Sequence, residues 1–279
     1  MHPTLLKLGP LTLHTYGMFL AVAFLLSLYL LQRDAKRSGL DPQAIVDLAF
    51  WTLLAGIVGS RLLHIIMFYP DYSWSNPLGW IALWNGGLVY QGGLIAGIVF
   101  CYVYMRKRGM DVWRTADVVL PYLPLAHAVG RLGCFFGFGC CYGKATNSMF
   151  GVCFPRVPAD VTQPATGSPA YLDYYGANSH ELWSPPVHPT QLYEFAGLLV
   201  IFGLLLYLRK NWHPYKGFVF PTYLISYGVL RFFVEMFRGD HNPTRLGGLS
   251  DQQVFSILFA LAGLVIFFIM RRRPALRTA

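Results

Sequence analysis

Charge is what this sequence lacks most. Only 13% of its 279 residues are Asp, Glu, Lys or Arg, where a soluble domain carries about 25%. Acidic side chains are the scarcest, 13 against 22 basic ones. With 55% hydrophobic and 16% aromatic residues, and a mean hydropathy of +0.44, this composition excludes an ordinary soluble domain and indicates a polytopic membrane protein. The net charge of +9 is not a nucleic-acid signature, because the basic residues fall in short clusters between apolar runs. Cysteine is sparse too: Cys101, Cys134, Cys140, Cys141 and Cys153 are the whole set, and no two form a Cys-x-x-Cys pair. Adjacent Cys140 and Cys141 make a poor tetrahedral corner, so neither a zinc site nor any other metal or cofactor is expected. A disulfide from Cys140 or Cys141 to Cys153 stays open if the segment lies outside the cytoplasm. The first apolar run has no basic stretch before it and no small-residue cleavage site after it, so no cleavable leader is expected. No internal repeat is visible, which weighs against a transporter built from duplicated halves.

What the chain does have is long apolar runs. A bilayer crossing needs roughly 20 apolar residues. Seven candidate spans fit: Tyr16–Leu31, Ala44–Phe68, Leu88–Met105, Ala116–Phe138, Gln191–Leu208, Gly217–Phe237 and Gln253–Met270. Basic clusters follow the first (Arg33, Lys36, Arg37), third (Arg106, Lys107, Arg108, Arg114), fifth (Arg209, Lys210, Lys216) and seventh (Arg271, Arg272, Arg273, Arg277). The positive-inside rule therefore predicts a cytoplasmic C-terminus and an external N-terminus. Lys7, Lys144, Arg156, Arg238 and Arg245 fall on the external side. The stretch 139–189, rich in Pro, Gly, Tyr and Ser, is then external as well. The expected fold is an all-α polytopic membrane protein: one transmembrane domain of seven helices, with a small irregular periplasmic head inserted at 139–189.

Several polar groups sit inside these spans, where an ionisable side chain is costly and marks a functional site by default. Arg131 lies in His127-Ala-Val-Gly-Arg131-Leu-Gly133-Cys134, with His127, Arg131 and Cys134 on one helical face. Pro121 and Pro124 are expected to kink that helix. In the sixth span Tyr227, Arg231, Glu235 and Arg238 are spaced 4, 4 and 3 apart, again on one face. That ladder has more arginine than glutamate, an excess to be met by a bound anion or by another carboxylate such as Glu194. Glu194 belongs to His188-Pro-Thr-Gln-Leu-Tyr-Glu194, where a helix start favours anions. Tyr16 reads either as an aromatic-belt anchor or as a site residue. Arg61, with His64 on its face, reads as a structural ion pair. Gln91 sits in Asn85-Gly-Gly-Leu-Val-Tyr-Gln91-Gly-Gly93, where paired glycines suit either close helix packing or an approaching ligand. These groups gather at the outer ends of several helices. A positively biased cavity open to lipid fits them, and a phospholipid headgroup is the nearest abundant anion.

At these residues the chain resembles the prolipoprotein diacylglyceryl transferase family. The matching pieces are His14-Thr-Tyr16-Gly17, Asn85-Gly86-Gly87 with Gln91-Gly92-Gly93, Gly130-Arg131-Leu-Gly133, His188 through Glu194, and Tyr227-Gly228 through Arg231, Glu235 and Arg238. The resemblance implies seven spans in the bacterial inner membrane and an outer-leaflet active site. It implies transfer of the diacylglyceryl group of phosphatidylglycerol to the lipobox cysteine in a prolipoprotein signal peptide, the first step of lipoprotein maturation, with release of glycerol phosphate. Motif matching carries Tyr16, Arg131, Gly143 and Arg231 over as functional. Gln91, Tyr227, Glu235, Arg238 and Glu194 join them as substrate-binding candidates. On this reading Arg131 and Arg231 clamp the phosphate, and Tyr16 positions the phosphate or the glycerol. The base for the thiol stays open among His127, His188 and a phosphate oxygen. The family often has histidine where Gln91 stands and asparagine where Cys134 stands, which suggests a divergent branch. The rival readings are a transporter of a lipid or small anion and a membrane thiol-redox enzyme. The redox enzyme needs its cysteines, whereas the transferase is expected to tolerate serine at Cys134 and Cys141.

Overall fold

The computed structural model describes residues 4–8, 11–69, 78–81, 86–158, 165, 168–240 and 248–273. Asn85, Arg245 and Arg277, all named above, lie outside the described residues, as does part of the 139–189 stretch. The elements are β1 (Thr4–Leu8), β2 (Leu11–His14), α1 (Thr15–Arg37), α2 (Pro42–Met67), α3 (Leu78–Ile81), α4 (Tyr90–Lys107), α5 (Val112–Val119), α6 (Tyr122–Gly133), α7 (Pro169–Tyr175), α8 (Thr190–Asn211), α9 (Val219–Met236) and α10 (Asp251–Arg271). The structure is mostly helical. Among the described residues, five helical stretches are long and apolar enough to cross a membrane: α1, α2, Val112–Gly137, α8 and α10. Helices α4 and α9 are 18 residues each; α4 carries Gln91, Arg106 and Lys107, and α9 carries Arg231 and Glu235. The apolar surfaces are turned outward. Along α10 Leu258, Leu261, Val265 and Ile269 are exposed, the outward face of a helix solvated by lipid.

The fold departs from all-α at its start. β1 and β2 pair antiparallel, with Leu6 opposite Leu13 and Leu8 opposite Leu11. Strand pairing there satisfies backbone groups before α1 begins at Thr15. The Val112–Gly137 span is broken between α5 and α6, where Pro121 lacks the N–H that a continuous helix needs. It closes in a π-helical turn, Cys134–Phe138, ended by Gly139 at φ 64° with its N–H on the Cys134 carbonyl.

The chain forms two compact units, residues 1–29 with 119–279, and residues 30–118. In the smaller unit α2 packs on α4. Gly59 and Gly92 are the contact: a Cβ on Gly59 would sit 2.6 Å from the Gly92 carbonyl oxygen. Close packing is thus what these glycines do. Arg61 is held by backbone carbonyls, Nε donating to Trp80 O at 3.0 Å, Nη1 to Gly86 O at 2.7 Å and Nη2 to Gly79 O at 2.6 Å. These carbonyls form a cradle around the guanidinium. Gln91 lies exposed in the first turn of α4. In the larger unit α9 packs on α10 and α8, and α8 on α6. Ile201, Leu205 and Val219 form a buried core there, and Tyr142, Phe154, Ala170 and Val187 form another in the 139–189 segment.

Candidate active site

The site lies in the larger unit, where α6, α8 and α9 meet. Glu194, in the second turn of α8, is almost fully buried. Its Oε1 takes Arg131 Nη2 from α6 at 2.9 Å, and its Oε2 lies 3.4 Å from Arg231 Nη1 of α9. One carboxylate therefore joins two guanidinium groups from separate helices. Arg131 Nε also donates to His127 Nε2 at 3.2 Å, one helical turn back. Arg231 Nη2 reaches Glu235 Oε2 at 2.9 Å, and Ser250 Oγ donates to Glu235 Oε1 at 3.1 Å. Among the described residues, Arg131 Nη1 and Arg231 Nε have no protein acceptor. The arginines keep 14% and 11% of their side-chain surface open.

Around this core the other named residues take definite places. Tyr16 begins α1 against the end of α6, its ring filling the space above Gly133, where a Cβ would lie 3.2 Å from Tyr16 Cδ2. The Tyr227 ring packs on His127, centroids 5.7 Å apart. Arg238 makes a two-pronged pair with Asp240, Nε to Oδ1 at 2.6 Å. A cavity of about 230 Å³ opens beside it, lined by Lys144, Glu235, Arg238 and Ser250 among others. Gly143 joins the segment to both helices. Its N–H donates to His188 O at 2.8 Å, and a Cβ there would fall 2.6 Å from that oxygen and 2.7 Å from Phe237 O. Only glycine fits.

With this arrangement in view, comparison with known proteins is decisive. The family model described as Prolipoprotein diacylglyceryl transferase matches residues 3–269. The chain belongs to the prolipoprotein diacylglyceryl transferase family. A phosphatidylglycerol–prolipoprotein diacylglyceryl transferase of Clostridium tetani is 35% identical over 274 residues, covering 98% of this chain and 99% of that protein. One from Bordetella avium is 34% identical, covering 98% and 96%, and one from Staphylococcus carnosus 32%, covering 96% and 90%.

In this member of the prolipoprotein diacylglyceryl transferase family, the structure gathers Tyr16, Arg131, Gly143, Glu194, Tyr227, Arg231, Glu235 and Arg238 within one unit. It corrects the expected clamp in one respect. The arginines meet on Glu194, the second of the two acceptors considered for their excess charge, and the carboxylate sits between them. Other participants were missed. Ser250 is one, although Ser250-x-x-Gln253 is a capping box readable in sequence, and both its hydrogen bonds are present at the start of α10. Asp240 is another. The cysteines also fall differently. Cys153 is exposed and free, whereas Cys134, Cys140 and Cys141 bring their sulfurs within 4.8 Å of one another. Spacing alone hid this, because the π-helical turn and a left-handed backbone at Cys141, φ 63°, redirect these side chains.

Proposed function

We infer that this chain transfers the diacylglyceryl group of phosphatidylglycerol to prolipoprotein, the reaction in its relatives' names. The observation that carries the site assignment is the joining of Arg131 and Arg231 through Glu194. Sulfur attacks the glycerol carbon, the carbon–oxygen bond to phosphate breaks, and the leaving group goes from phosphodiester monoanion to phosphomonoester dianion. Negative charge on phosphate oxygens grows along the reaction. Fixed guanidinium donors therefore hold the transition state more tightly than the substrate, which is the condition for acceleration. Arginine keeps its proton and presents a planar fork suited to phosphate. Arg131 Nη1 and Arg231 Nε are the donors offered to the lipid phosphate, and Glu194 and Glu235 hold the two forks in place. Tyr16 positions the phosphate or glycerol beside Arg131. Tyr227 and Gly143 shape the walls, and Arg238 with Lys144 adds positive charge at the neighbouring cavity.

The membrane arrangement proposed is seven spans, adding α4 and α9 to the five longest and most apolar helical stretches, in the bacterial inner membrane. The basic clusters after α1, α4, α8 and α10 support a cytoplasmic C-terminus and a periplasmic N-terminus. The 139–189 segment is then the periplasmic head, and the acceptor is the lipobox cysteine of a signal peptide. Purified protein incubated with phosphatidylglycerol vesicles and a lipobox peptide tests this by mass spectrometry. The peptide is expected to gain one diacylglyceryl group and the lipid to release glycerol phosphate. An unmodified peptide with lipid moved between leaflets would instead identify a transporter.

A further inference from the structure

We propose that Cys134, Cys140 and Cys141 bind a zinc ion whose open fourth position takes the incoming substrate thiol as thiolate. This rests on the transferase reading above. The three sulfurs lie within 4.8 Å of one another. Tetrahedral zinc–thiolate geometry, Zn–S about 2.3 Å, sets sulfurs roughly 3.8 Å apart, so a shift of about 1 Å or less closes the site. The loop is built to hold this cluster. Adjacent side chains on extended backbone point to opposite faces. Here Cys141 takes the left-handed conformation that non-glycine residues avoid, φ 63°, directly after Gly139 and Cys140. The two loop carbonyls are anchored from the first turn of α8: Thr190 Oγ1 donates to Cys141 O at 2.5 Å and Gln191 Nε2 to Cys140 O at 2.7 Å. Both anchors are fully buried, and Gln191 Oε1 beside the loop has no hydrogen-bond partner among the described residues.

The cluster is also where the reaction needs it. Cys134 follows Arg131 by three residues, and Tyr16 packs on Gly133 between them, where a Cβ would lie 3.2 Å from Tyr16 Cδ2. Three thiolates and one Zn²⁺ carry a net charge of −1, and two arginines lie close along the backbone: Arg131, three residues before Cys134, and Arg238, bridged to Gly143 just after Cys141. The nearby imidazoles are engaged: His127 Nε2 accepts from Arg131, and His188 Nδ1 bonds the Tyr193 hydroxyl at 3.0 Å. Zinc supplies what they do not. A thiol that coordinates it loses its proton to solvent, and three protein ligands with one open position is the catalytic arrangement for this metal. The zinc-held sulfur then forms its bond to the glycerol carbon. The carbon–oxygen bond breaks and its electron pair leaves on the glycerol phosphate. The thioether, having lost its negative charge, is a weaker ligand and departs. Nothing is oxidised or reduced.

This reverses the expectation that Cys134 and Cys141 tolerate serine. The test uses the full chain purified in detergent, with zinc measured by elemental analysis and Co²⁺ exchanged for it. One metal per chain is expected, together with sulfur-to-cobalt absorption. Binding should be lost in Cys134→Ser and Cys141→Ser and kept in Cys153→Ser. A lipobox peptide bearing cysteine should shift the cobalt spectrum of the unmutated chain as a fourth sulfur joins, and the same peptide bearing serine should not. This comparison needs no variant to fold. Three results overturn the proposal: no metal bound with thiols free, a disulfide among the three cysteines, or a cobalt spectrum indifferent to the thiol peptide. Peptide lipidation is followed in the same preparations. Full lipidation by metal-free protein sinks the zinc proposal and leaves the transferase standing. A thiol-responsive metal without lipidation does the reverse.

Discussion

Glu194 is the residue on which the site turns. It is buried between two guanidinium groups that would otherwise repel each other across a low-dielectric interior. Removing one partner of a buried ion pair costs about 3–5 kcal/mol, because a charge is left uncompensated. Glu194→Gln should therefore lower the thermal unfolding temperature in detergent and reduce transfer, and unchanged stability would show that the arginines do not depend on it. Arg231→Lys keeps the charge and loses the fork. It should transfer at well below the rate of the unmutated chain, read from initial rates of peptide lipidation, since a point charge cannot hold Glu235 and a phosphate oxygen together. The residues themselves were legible in the sequence. Arg131 and Arg231 stand out as charged groups at helical spacing inside apolar runs, and Glu194 as a carboxylate near a helix start. Who bonds whom was not legible, because pairing across α6, α8 and α9 depends on packing that spacing within one helix does not encode.

At the level of elements, the 139–189 segment is tied to α8 and α9 through Gly143, whose N–H and neighbouring groups bond His188, Phe237 and Gly239. Gly143→Ala forces a Cβ to within 2.6 Å of the His188 carbonyl oxygen. It should displace the start of α8 and with it Thr190, Gln191 and Glu194. The expected result is loss of transfer from a protein that still inserts, checked by membrane fractionation beside the lipidation assay. Tyr142 anchors the same segment, its hydroxyl donating to Asp173. Burial first, and that hydrogen bond next, push its pKa above the usual tyrosine value. A raised folded pKa means the contribution is fully present below about pH 10 and declines as pH rises towards the folded value. Tyr142→Phe should cost about 1–3 kcal/mol near neutral pH, seen in chemical unfolding, with the difference shrinking at alkaline pH. The helices were readable from hydropathy, down to the break near Pro121. The β1–β2 hairpin and the convergence of Cys134 with Cys140 and Cys141 were not. Both depend on local backbone choices, a strand pairing and a positive φ, that leave no periodic trace.

For the whole molecule, the basic clusters fix a testable orientation. Cys153 is exposed in the 139–189 segment. In intact spheroplasts of a cysteine-depleted background it should react with a membrane-impermeant maleimide, while a cysteine placed at Arg272 should react only after lysis. Labelling of both from outside would contradict the proposed topology. On the proposed reading the lipid phosphate would meet the α6–α8–α9 junction from the outer leaflet, and acceleration would come from guanidinium donors held ready for growing charge. The most direct measurement is the mass of a lipobox peptide after incubation with phosphatidylglycerol vesicles and either the unmutated chain or its Arg131→Ala and Arg231→Ala variants. The peptide should gain a diacylglyceryl group with the unmutated chain and remain unmodified with both variants, each still inserted. Full conversion by Arg231→Ala would contradict the account.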